Sequence, residues 1–345
     1  MTMDSDKKTI LVVGAGGFIG GFIAKEALRR GFDTWVAVRA STSRRYLDDE
    51  RLHFVELDYD DVDAMERTLE QALPNSAGWD YIIWNLGATK AANFMIFNQV
   101  NFVYPRNFVE LLRRRNWVPQ KFLYMSSLSA IGPGDEKNYT PLSSATVPNP
   151  NTRYGLSKIK TETFLETLTD FPWIIFRPTG VYGPHEKDYL LMIKTIDAHW
   201  DVSMGFRRQL LTFIYVDDLV EAMYQALESP NTVRRKYIIS EDRAYSQKDF
   251  RTLVAKALGH KVVIPLKLPM WVVYIASVLC EKWAGVSGKT STLNRDKFKI
   301  MRQRNWSCDI SDAQRDFGFR PKFSLARGVA ATVEAYLKDK NSKKK

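Results

Sequence analysis

The chain has 345 residues, of which 45% are hydrophobic and 26% charged, a balance typical of a folded globular protein. Its formal net charge of +11 indicates either an ordinary basic surface or attraction to an anion such as a phosphorylated cofactor or anionic lipid. No basic stripe is interleaved with aromatic residues, so we expect no nucleic-acid partner. Two cysteines and four scattered histidines provide neither a disulfide framework nor metal-ligand spacing, and we expect no metal.

Targeting signals are not evident. Residues 1–8 are polar and do not resemble a secretory signal, and the most apolar run, residues 269–280, is too short to cross a bilayer. We therefore expect a cytoplasmic protein. The apolar stretch 269–285 leaves three alternatives open, namely core packing, a hydrophobic pocket wall, and an interfacial helix that makes peripheral membrane contact.

The first predicted element is a buried strand that runs into a glycine-rich turn. Residues 9–13 carry no charge and are mostly aliphatic or β-branched, as in a parallel strand covered on both faces. Gly14, Gly17 and Gly20 follow at three-residue spacing and open a helical pattern. Such glycines permit a tight turn, a close pyrophosphate and close helix packing, while the helix N-terminus offers free N–H groups. A dinucleotide site is favoured over an ordinary glycine turn.

The residues after the second strand bear on the choice of cofactor. Arg39 follows the predicted strand 34–38, Arg44 and Arg45 lie close behind, and no acidic residue occurs before Asp48. NAD sites usually place an acid here for the ribose hydroxyl, whereas an arginine suits a 2′-phosphate. We therefore expect NADP(H), with NAD as the alternative if the arginines only form a basic loop.

Further strands alternate with helical patterns along the first half of the chain. This alternation predicts an α/β fold with a Rossmann-type, doubly wound parallel sheet. Its remaining strands are expected at residues 53–57, 81–85, 121–125, 173–177 and 237–240. Asp58 ends one strand, and Asn85, Leu86 and Gly87 end another, where ligands usually bind in open sheets.

Two lobes and a tail are predicted from the point where this alternation loosens. Residues 1–178 with about 213–240 would form the cofactor-binding lobe. A smaller, mainly helical substrate lobe would take about 179–212 and 241–338. The lysine-rich residues 339–345 are expected to be a disordered basic tail.

Tyr154 and Lys158 carry the predicted chemistry. They lie four residues apart on a helix, so they share one face. An ammonium beside a phenol lowers the pKa of the tyrosine, which can then exchange a proton with a carbonyl or alcohol. The spacing alone is weak evidence, since Tyr336 and Lys340 repeat it in the tail.

In the context of the other motifs, the chain resembles the extended short-chain dehydrogenases/reductases, also called the NAD-dependent epimerase/dehydratase family. The resemblance extends from Gly14 to about Lys338. Its motifs are Gly14-Ala-Gly-Gly-Phe18-Ile19-Gly20, Asp58, Asn101, Ser126-Ser127, Tyr154-Gly-Leu-Ser-Lys158, Arg177-Pro178-Thr-Gly-Val181-Tyr-Gly183 and Phe213-Ile-Tyr-Val-Asp-Asp218.

The resemblance implies roles for individual residues. Tyr154 would be the acid/base, Ser127 the catalytic serine, and Lys158 would also hold the nicotinamide ribose. It implies further cofactor contacts at Gly14, Gly17, Phe18, Ile19, Gly20, Arg39, Asp58, Asn85, Leu86, Gly87, Pro178 and Val181. It also implies a homodimer, built through the helices at residues 101–115 and 153–168.

Two departures from the nucleotide-sugar members bear on the substrate. Leu211 and Gly180 stand where those enzymes commonly carry an Arg and an Asn that hold a diphosphate. Losing both would leave diphosphate oxygens poorly compensated. The oily C-terminal half looks like the branch of 3β-hydroxysteroid dehydrogenases, dihydroflavonol reductases and ketosphinganine reductases.

The leading hypothesis is therefore an NADP(H)-dependent oxidoreductase that acts on a ketone or secondary alcohol of a hydrophobic, lipid- or sterol-like substrate. A nucleotide-sugar epimerase, dehydratase or reductase is the alternative, which Arg207 or Arg208 could support by replacing the missing cation. A non-catalytic NADP(H) sensor is a third hypothesis, which the presence of all three catalytic residues disfavours.

Overall fold

A parallel sheet of seven strands organises this computed structural model, which describes residues 7–74, 78–91, 93–287, 291 and 293–342. Within that part of the chain, the strands are β1 (Thr9–Val13), β2 (Asp33–Val38), β3 (His53–Glu56), β4 (Tyr81–Trp84), β5 (Lys121–Met125), β6 (Trp173–Pro178), β7 (Gly180–Tyr182), β8 (Trp200–Met204), β9 (Phe213–Tyr215), β10 (Arg235–Ile239) and β11 (Ile264–Leu268). The large sheet has the order β10-β6-β5-β4-β1-β2-β3. The order reverses between β1 and β4, which places a ligand crevice at their carboxyl ends.

Helices cover both faces of this sheet, as the alternating pattern predicts. They are α1 (Phe18–Arg29), α2 (Val62–Ala72), α3 (Phe94–Asn98), α4 (Tyr104–Arg114), α5 (Arg153–Thr167), α6 (Lys187–Asp197), α7 (Val216–Glu228), α8 (Gln247–Ala257), α9 (Met270–Ser287), α10 (Arg295–Arg302), α11 (Ser311–Phe317) and α12 (Leu325–Ser342). The predicted Rossmann-type sheet and its helices are thus confirmed.

The side chains of β1 show why the sheet is buried on both faces. Ile10 and Val12 pack into one hydrophobic core, and Leu11 and Val13 pack into the core on the opposite side. Successive residues of a strand point to opposite faces, so a continuous apolar run covers two helical layers at once. The strand is fully buried, and its carboxyl end delivers the glycine turn to the crevice.

The helical segment after β4 is irregular. A π-helical turn, Gln99–Val103, joins α3 to α4, and buried Asn101 lies at its centre. The main-chain oxygen of Asn101 accepts hydrogen bonds from the Tyr124 hydroxyl at 3.2 Å and from the Thr161 hydroxyl at 2.5 Å. The turn therefore links this segment to both β5 and α5.

Two small sheets form the second lobe together with α6, α8, α9, α10 and α12. β7 pairs with β9, and β8 pairs in parallel with β11. The sequence pattern did not predict β8 or β11. Residues 264–268, interpreted only as part of an oily stretch, form an almost wholly exposed strand.

Two segments differ from the predicted division of the chain. Residues 310–319, assigned to the substrate lobe, pack into the core beneath the large sheet, where the rings of Phe317 and Phe176 stack 6.0 Å apart. The predicted disordered tail is helical through Ser342, and Lys340 forms an ion pair with Asp197. The last three residues, 343–345, lie outside the described residues.

Candidate active site

The glycine turn between β1 and α1 has the geometry of a phosphate cradle. Gly14 has φ +84°, and a Cβ there would lie 2.6 Å from the main-chain nitrogen of Leu86. A Cβ on Gly20 would lie 2.3 Å from the oxygen of Gly14, so α1 can approach the turn only with glycine at that position. Gly17 caps α1 without a side-chain acceptor, which leaves the N–H groups of the first turn available to an anion.

One arginine of the loop after β2 faces the crevice. Arg39 lines it together with Ser41, Thr42 and Ser43. Arg44 instead lies 3.7 Å from Glu56 and stacks over the Phe54 ring. Arg39 is therefore the arginine of this basic loop that lines the crevice.

Most of the predicted cofactor residues line the same crevice. Gly14, Gly17, Phe18, Ile19, Arg39, Asn85, Leu86, Gly87, Lys158, Pro178 and Val181 all do so. Two predicted residues do not. Gly20 acts through packing, as described above, and exposed Asp58 accepts a hydrogen bond from the main chain of Asp60. Gly16 and Tyr59 also line the crevice, and our sequence analysis did not select them.

Ser127, Tyr154 and Lys158 meet at the floor of this cleft. Ser127 begins a short 3₁₀ turn that follows β5, and its side chain lies near enough to the Tyr154 hydroxyl to affect the pKa of that tyrosine. Lys158 is buried one helical turn beyond Tyr154, and its ammonium donates a hydrogen bond of 2.8 Å to the Met125 oxygen. The structure thus brings together the three residues selected from sequence.

The pKa values of the pair differ from the expectation. Desolvation raises the pKa of Tyr154 to about 12, and the nearby Ser127 hydroxyl only partly opposes it. Burial lowers the pKa of Lys158 to about 7, against the opposing charge of Glu162. The predicted lowering of the tyrosine pKa by Lys158 is wrong for this arrangement, because the lysine nitrogen is directed at the Met125 carbonyl. Tyr154 therefore holds its proton at neutral pH.

A buried ion pair fixes the helix that carries these residues. Arg177 of β6 and Glu162 of α5 are 1% and 0% exposed, and their Nη2 and Oε2 atoms lie 2.5 Å apart. Glu162 also accepts a hydrogen bond from Ser126, the neighbour of Ser127. Asn101 holds the other side of the helix through a 2.9 Å bond to Ser157. The positions of Tyr154 and Lys158 therefore depend on contacts to two strands and the π-helical turn.

The cleft continues from the catalytic residues into the second lobe. Its volume is about 1160 Å³. Its far half is lined by many apolar side chains, among them Leu191, Met192, Trp200, Met204, Leu211, Ile300, Met301 and Trp306. The cleft is thus large enough for a dinucleotide and a second molecule at once.

Two ion-paired clusters lie in the far half of the cleft. Asp188 accepts bonds from Lys90 at 2.6 Å and from Lys297 at 2.9 Å, and Arg251 lies 2.9 Å from Asp201. The two lysines hold the pKa of Asp188 below its usual value, despite its desolvation. Asp188 thus neutralises one of the two lysine charges. The sequence analysis missed this cluster, because the residues are 98 and 109 positions apart along the chain.

Leu211 and Gly180, the two positions that the sequence analysis related to the choice of substrate, both line this cleft. Leu211 presents an aliphatic side chain to it. A Cβ on Gly180 would lie 2.3 Å from the Tyr189 hydroxyl, so Tyr189 occupies the space that a longer side chain would need. Arg207 and Arg208 are exposed and do not line the cleft, so they do not replace the missing cation.

Together the fold and the site define an NAD(P)-dependent enzyme of the extended short-chain dehydrogenase/reductase type. The chain belongs to the NAD dependent epimerase/dehydratase family, whose model matches residues 10–240. This agrees with the family that the sequence motifs indicated.

The relatives that this chain matches are distant in sequence. A UDP-glucose 4-epimerase from Vibrio cholerae is 24% identical over 227 residues, which cover 64% of this chain and 65% of that protein. The protein CapI from Staphylococcus aureus is 22% identical over 95% of this chain and 98% of its own length. A 3beta-hydroxysteroid-dehydrogenase/decarboxylase from Arabidopsis thaliana is 22% identical over 97% of this chain and 62% of its own.

Solved structures show the same fold at similarly low identity. The UDP-glucose 4-epimerase from Thermotoga maritima has a TM-score of 0.78 at 20% identity, covering 96% of this chain and 99% of that chain. A UDP-glucuronic acid 4-epimerase from Bacillus cereus, solved in complex with NAD, has a TM-score of 0.74 at 19% identity, with coverage of 96% and 99%.

Tyr154→Phe should remove the proton donor and keep the fold. We expect kcat to fall by about 10²- to 10⁴-fold, while the affinity for the nicotinamide cofactor changes little. Steady-state kinetics and cofactor titration measure the two quantities. Tyr336→Phe is the matched control, because it removes a tyrosine hydroxyl from the other Tyr–Lys pair, which contacts Asp197 outside the cleft. Equal turnover in the Tyr154→Phe and wild-type proteins would contradict the assignment.

Lys158→Met should stabilise the protein near neutral pH. The pKa of Lys158 falls from 10.5 to about 7 on folding, so between these values the unfolded chain binds more protons. The free-energy cost of burying Lys158 on folding therefore becomes smaller as the pH rises. The advantage of the variant in unfolding free energy should decrease by about 1.4 kcal/mol per pH unit between roughly pH 8 and 9.5.

Denaturant unfolding at several pH values tests this expectation. Lys160→Met is the control, because Lys160 lies two residues away on the same helix but is exposed. A constant difference between Lys158→Met and wild type across the pH range would show that Lys158 is not desolvated in the folded protein.

Proposed function

We propose that the protein is an NADP(H)-dependent reductase that converts a ketone of a hydrophobic substrate into a secondary alcohol, or catalyses the reverse oxidation. One observation carries the proposal. The Ser127–Tyr154–Lys158 site opens into an apolar half-cleft in which Leu211 and the Tyr189-filled space at Gly180 leave the usual diphosphate positions without a cation or an amide.

The residues of the cleft suit the reductive direction. Tyr154 is protonated at neutral pH and can donate its proton to a carbonyl oxygen as that oxygen gains negative charge. Ser127 lies near the same hydroxyl in the cleft and can polarise the carbonyl. A bound nicotinamide supplies or accepts the hydride. Lys158 stands beside Gly87, within reach of a ribose at the crevice wall.

The preference for NADP(H) rests on Arg39. It reaches the crevice beside Ser41, Thr42 and Ser43, a set of donors suited to a phosphate. We propose that Arg39 pairs with the ribose 2′-phosphate. The relatives solved with NAD support a nicotinamide dinucleotide in general, without this preference.

A nucleotide-sugar substrate is the second candidate. Most of the named relatives, such as the Vibrio cholerae and Thermotoga maritima enzymes, bear the names of nucleotide-sugar epimerases or dehydratases, and this favours it. Within the cleft, Lys90 and Lys297 share the Asp188 carboxylate, and Glu186 and Asp296 line the same cleft, so these five residues together present no net positive charge to an anionic group. Substrate tests must separate the two candidates.

We further propose a homodimer that packs through the helices at residues 101–115 and 153–168. Exposed apolar side chains support such an interface on and just before these helices. Met95, Ile96 and Leu156 are 77%, 42% and 43% exposed.

A substrate panel tests the proposed function directly. Oxidation of NADPH is followed by absorbance with long-chain 3-ketones and ketosteroids. With uridine and thymidine diphosphate sugars, thermal stabilisation and conversion of the sugar are measured, because epimerisation or dehydration consumes no NADPH. We expect turnover with the oily ketones that the Tyr154→Phe variant lacks. Stabilisation or turnover with the diphosphate sugars alone would reject the proposal in favour of the second candidate.

Arg39→Ala tests the cofactor assignment. Loss of a charge-assisted contact to phosphate should raise the Kd for NADPH about tenfold or more. The Kd for NADH should change little, since it has no 2′-phosphate. Arg44→Ala is the matched control, because Arg44 stacks over Phe54 instead. Equal weakening of both cofactors would refute the pairing with the phosphate.

A further inference from the structure

Helix α9 is apolar on its exposed face as well as on its packed face. Its packed face buries Val273, whereas five large side chains point into solvent. These are Trp271 at 67% exposure, Tyr274 at 48%, Ile275 at 49%, Leu279 at 62% and Trp283 at 71%, and we call them the α9 surface. Core packing therefore does not account for this stretch. Contiguous exposed apolar side chains mark an interaction site.

The apolar surface extends onto the strand pair that leads into α9. β11 ends two residues before α9 begins, and its partner strand is β8. In this pair Ile264 lies opposite Trp200, and both are about half exposed at 50% and 46%. Leu266, on the same face, is 42% exposed. Such an exposed apolar edge invites aggregation unless another surface covers it.

The charges around this surface are unbalanced in favour of cations. Lys261 precedes β11, Lys267 lies within it, Arg207 follows β8, and Lys282 lies on α9 next to Trp283; all four are exposed. Among the described residues, none of the four pairs with a carboxylate. The acidic residue on the helix, Glu281, is already bound by Arg295 at 2.9 Å. The rim is thus positively charged.

The surface is continuous with the substrate half of the cleft. Trp200, Val202 and Met204 of β8 line the cleft, while Trp200 also belongs to the exposed edge with Ile264. An apolar molecule that lies against this edge is therefore adjacent to the cleft wall. The substrate half of the cleft and the exposed apolar edge therefore share strand β8.

A lipid surface fits these features better than a second protein does. Tryptophan and tyrosine favour the region between headgroups and acyl chains, aliphatic side chains insert beneath them, and lysines meet anionic headgroups. No helix in the described part of the chain is long and apolar enough to span a bilayer. The helix is therefore suited to lie in the plane of the interface.

We infer that the α9 surface and the β8–β11 edge form a docking site for an anionic lipid bilayer, with the basic rim facing the headgroups. Docking in this orientation brings the β8 wall of the cleft to the membrane. The inference stands apart from the proposed reaction, because binding can be measured without turnover or cofactor.

Vesicle binding by the full chain tests the inference. Co-sedimentation is compared for vesicles of phosphatidylcholine alone and of phosphatidylcholine with phosphatidylglycerol. We expect binding to the anionic vesicles, weaker binding to the neutral ones, and a fall in binding with added salt. Absence of binding to both kinds of vesicle would overturn the inference, whatever the substrate proves to be.

Variants locate the binding to this surface. Trp271→Ser combined with Trp283→Ser should weaken binding to anionic vesicles about tenfold or more, and Lys261→Glu with Lys267→Glu should remove the preference for anionic lipid. Val147→Glu is the control, because Val147 is 83% exposed and lies in the loop before α5. Cofactor-dependent thermal stabilisation verifies that each variant is folded.

Two results would overturn the assignment of this surface. One is unchanged vesicle binding by the folded double tryptophan variant. The other is a wild-type dimer, seen by analytical ultracentrifugation without lipid, that the double tryptophan variant cannot form. That second result would identify a second copy of the chain as the occupant of the surface.

Discussion

The catalytic arrangement depends on one buried ion pair. Arg177 at the end of β6 and Glu162 in the middle of α5 are almost inaccessible to solvent, and Glu162 also binds Ser126 at the end of β5. Removing one partner of such a pair typically costs about 3–5 kcal/mol, because the remaining charge stays buried. The pair therefore joins α5 to two strands. Ser127 follows Ser126 in the chain, and Lys158 lies one helical turn before Glu162. The Ser126–Glu162–Arg177 contacts therefore set the separation between Ser127 and Lys158.

Local patterns of sequence were enough to predict the sheet and much of the site. The apolar run of β1 can be buried only between two layers, and the spacing of Gly14, Gly17 and Gly20 is set by a turn and a helix that adjoin it. Tyr154 and Lys158 lie on one helix, so their proximity also follows from a single element. Ser127 was assigned from the family motif, and the structure places it beside Tyr154.

Features that need distant parts of the chain could not be predicted in this way. β8 and β11 pair across more than 60 residues, and the alternation of apolar and polar residues in β8 does not by itself identify a partner strand so far away in the chain. The Lys90–Asp188–Lys297 cluster joins three separate segments. Burial also raises the pKa of Tyr154, whereas the spacing of Tyr154 and Lys158 predicted a lowered value. Spacing along a helix does not reveal how far a hydroxyl is desolvated. The lysine-rich tail continues helix α12, and Asp197 holds this end of the helix by accepting a hydrogen bond from Tyr336 and forming an ion pair with Lys340.

The π-helical turn at Gln99–Val103 ties the number of residues in this segment to the arrangement of the active site. A π turn holds one residue more than an α turn, and it leaves the Asn101 oxygen free for the hydroxyls of Tyr124 and Thr161. Deleting one residue beside Asn101 would convert the wide turn into a regular α turn, in which main-chain oxygens bond N–H groups four residues further on. The Asn101 oxygen would then be less available to Tyr124 and Thr161, although no site residue had been replaced. The contacts of this segment with β5 and α5 therefore depend on the number of residues between β4 and α4 as well as on their identity.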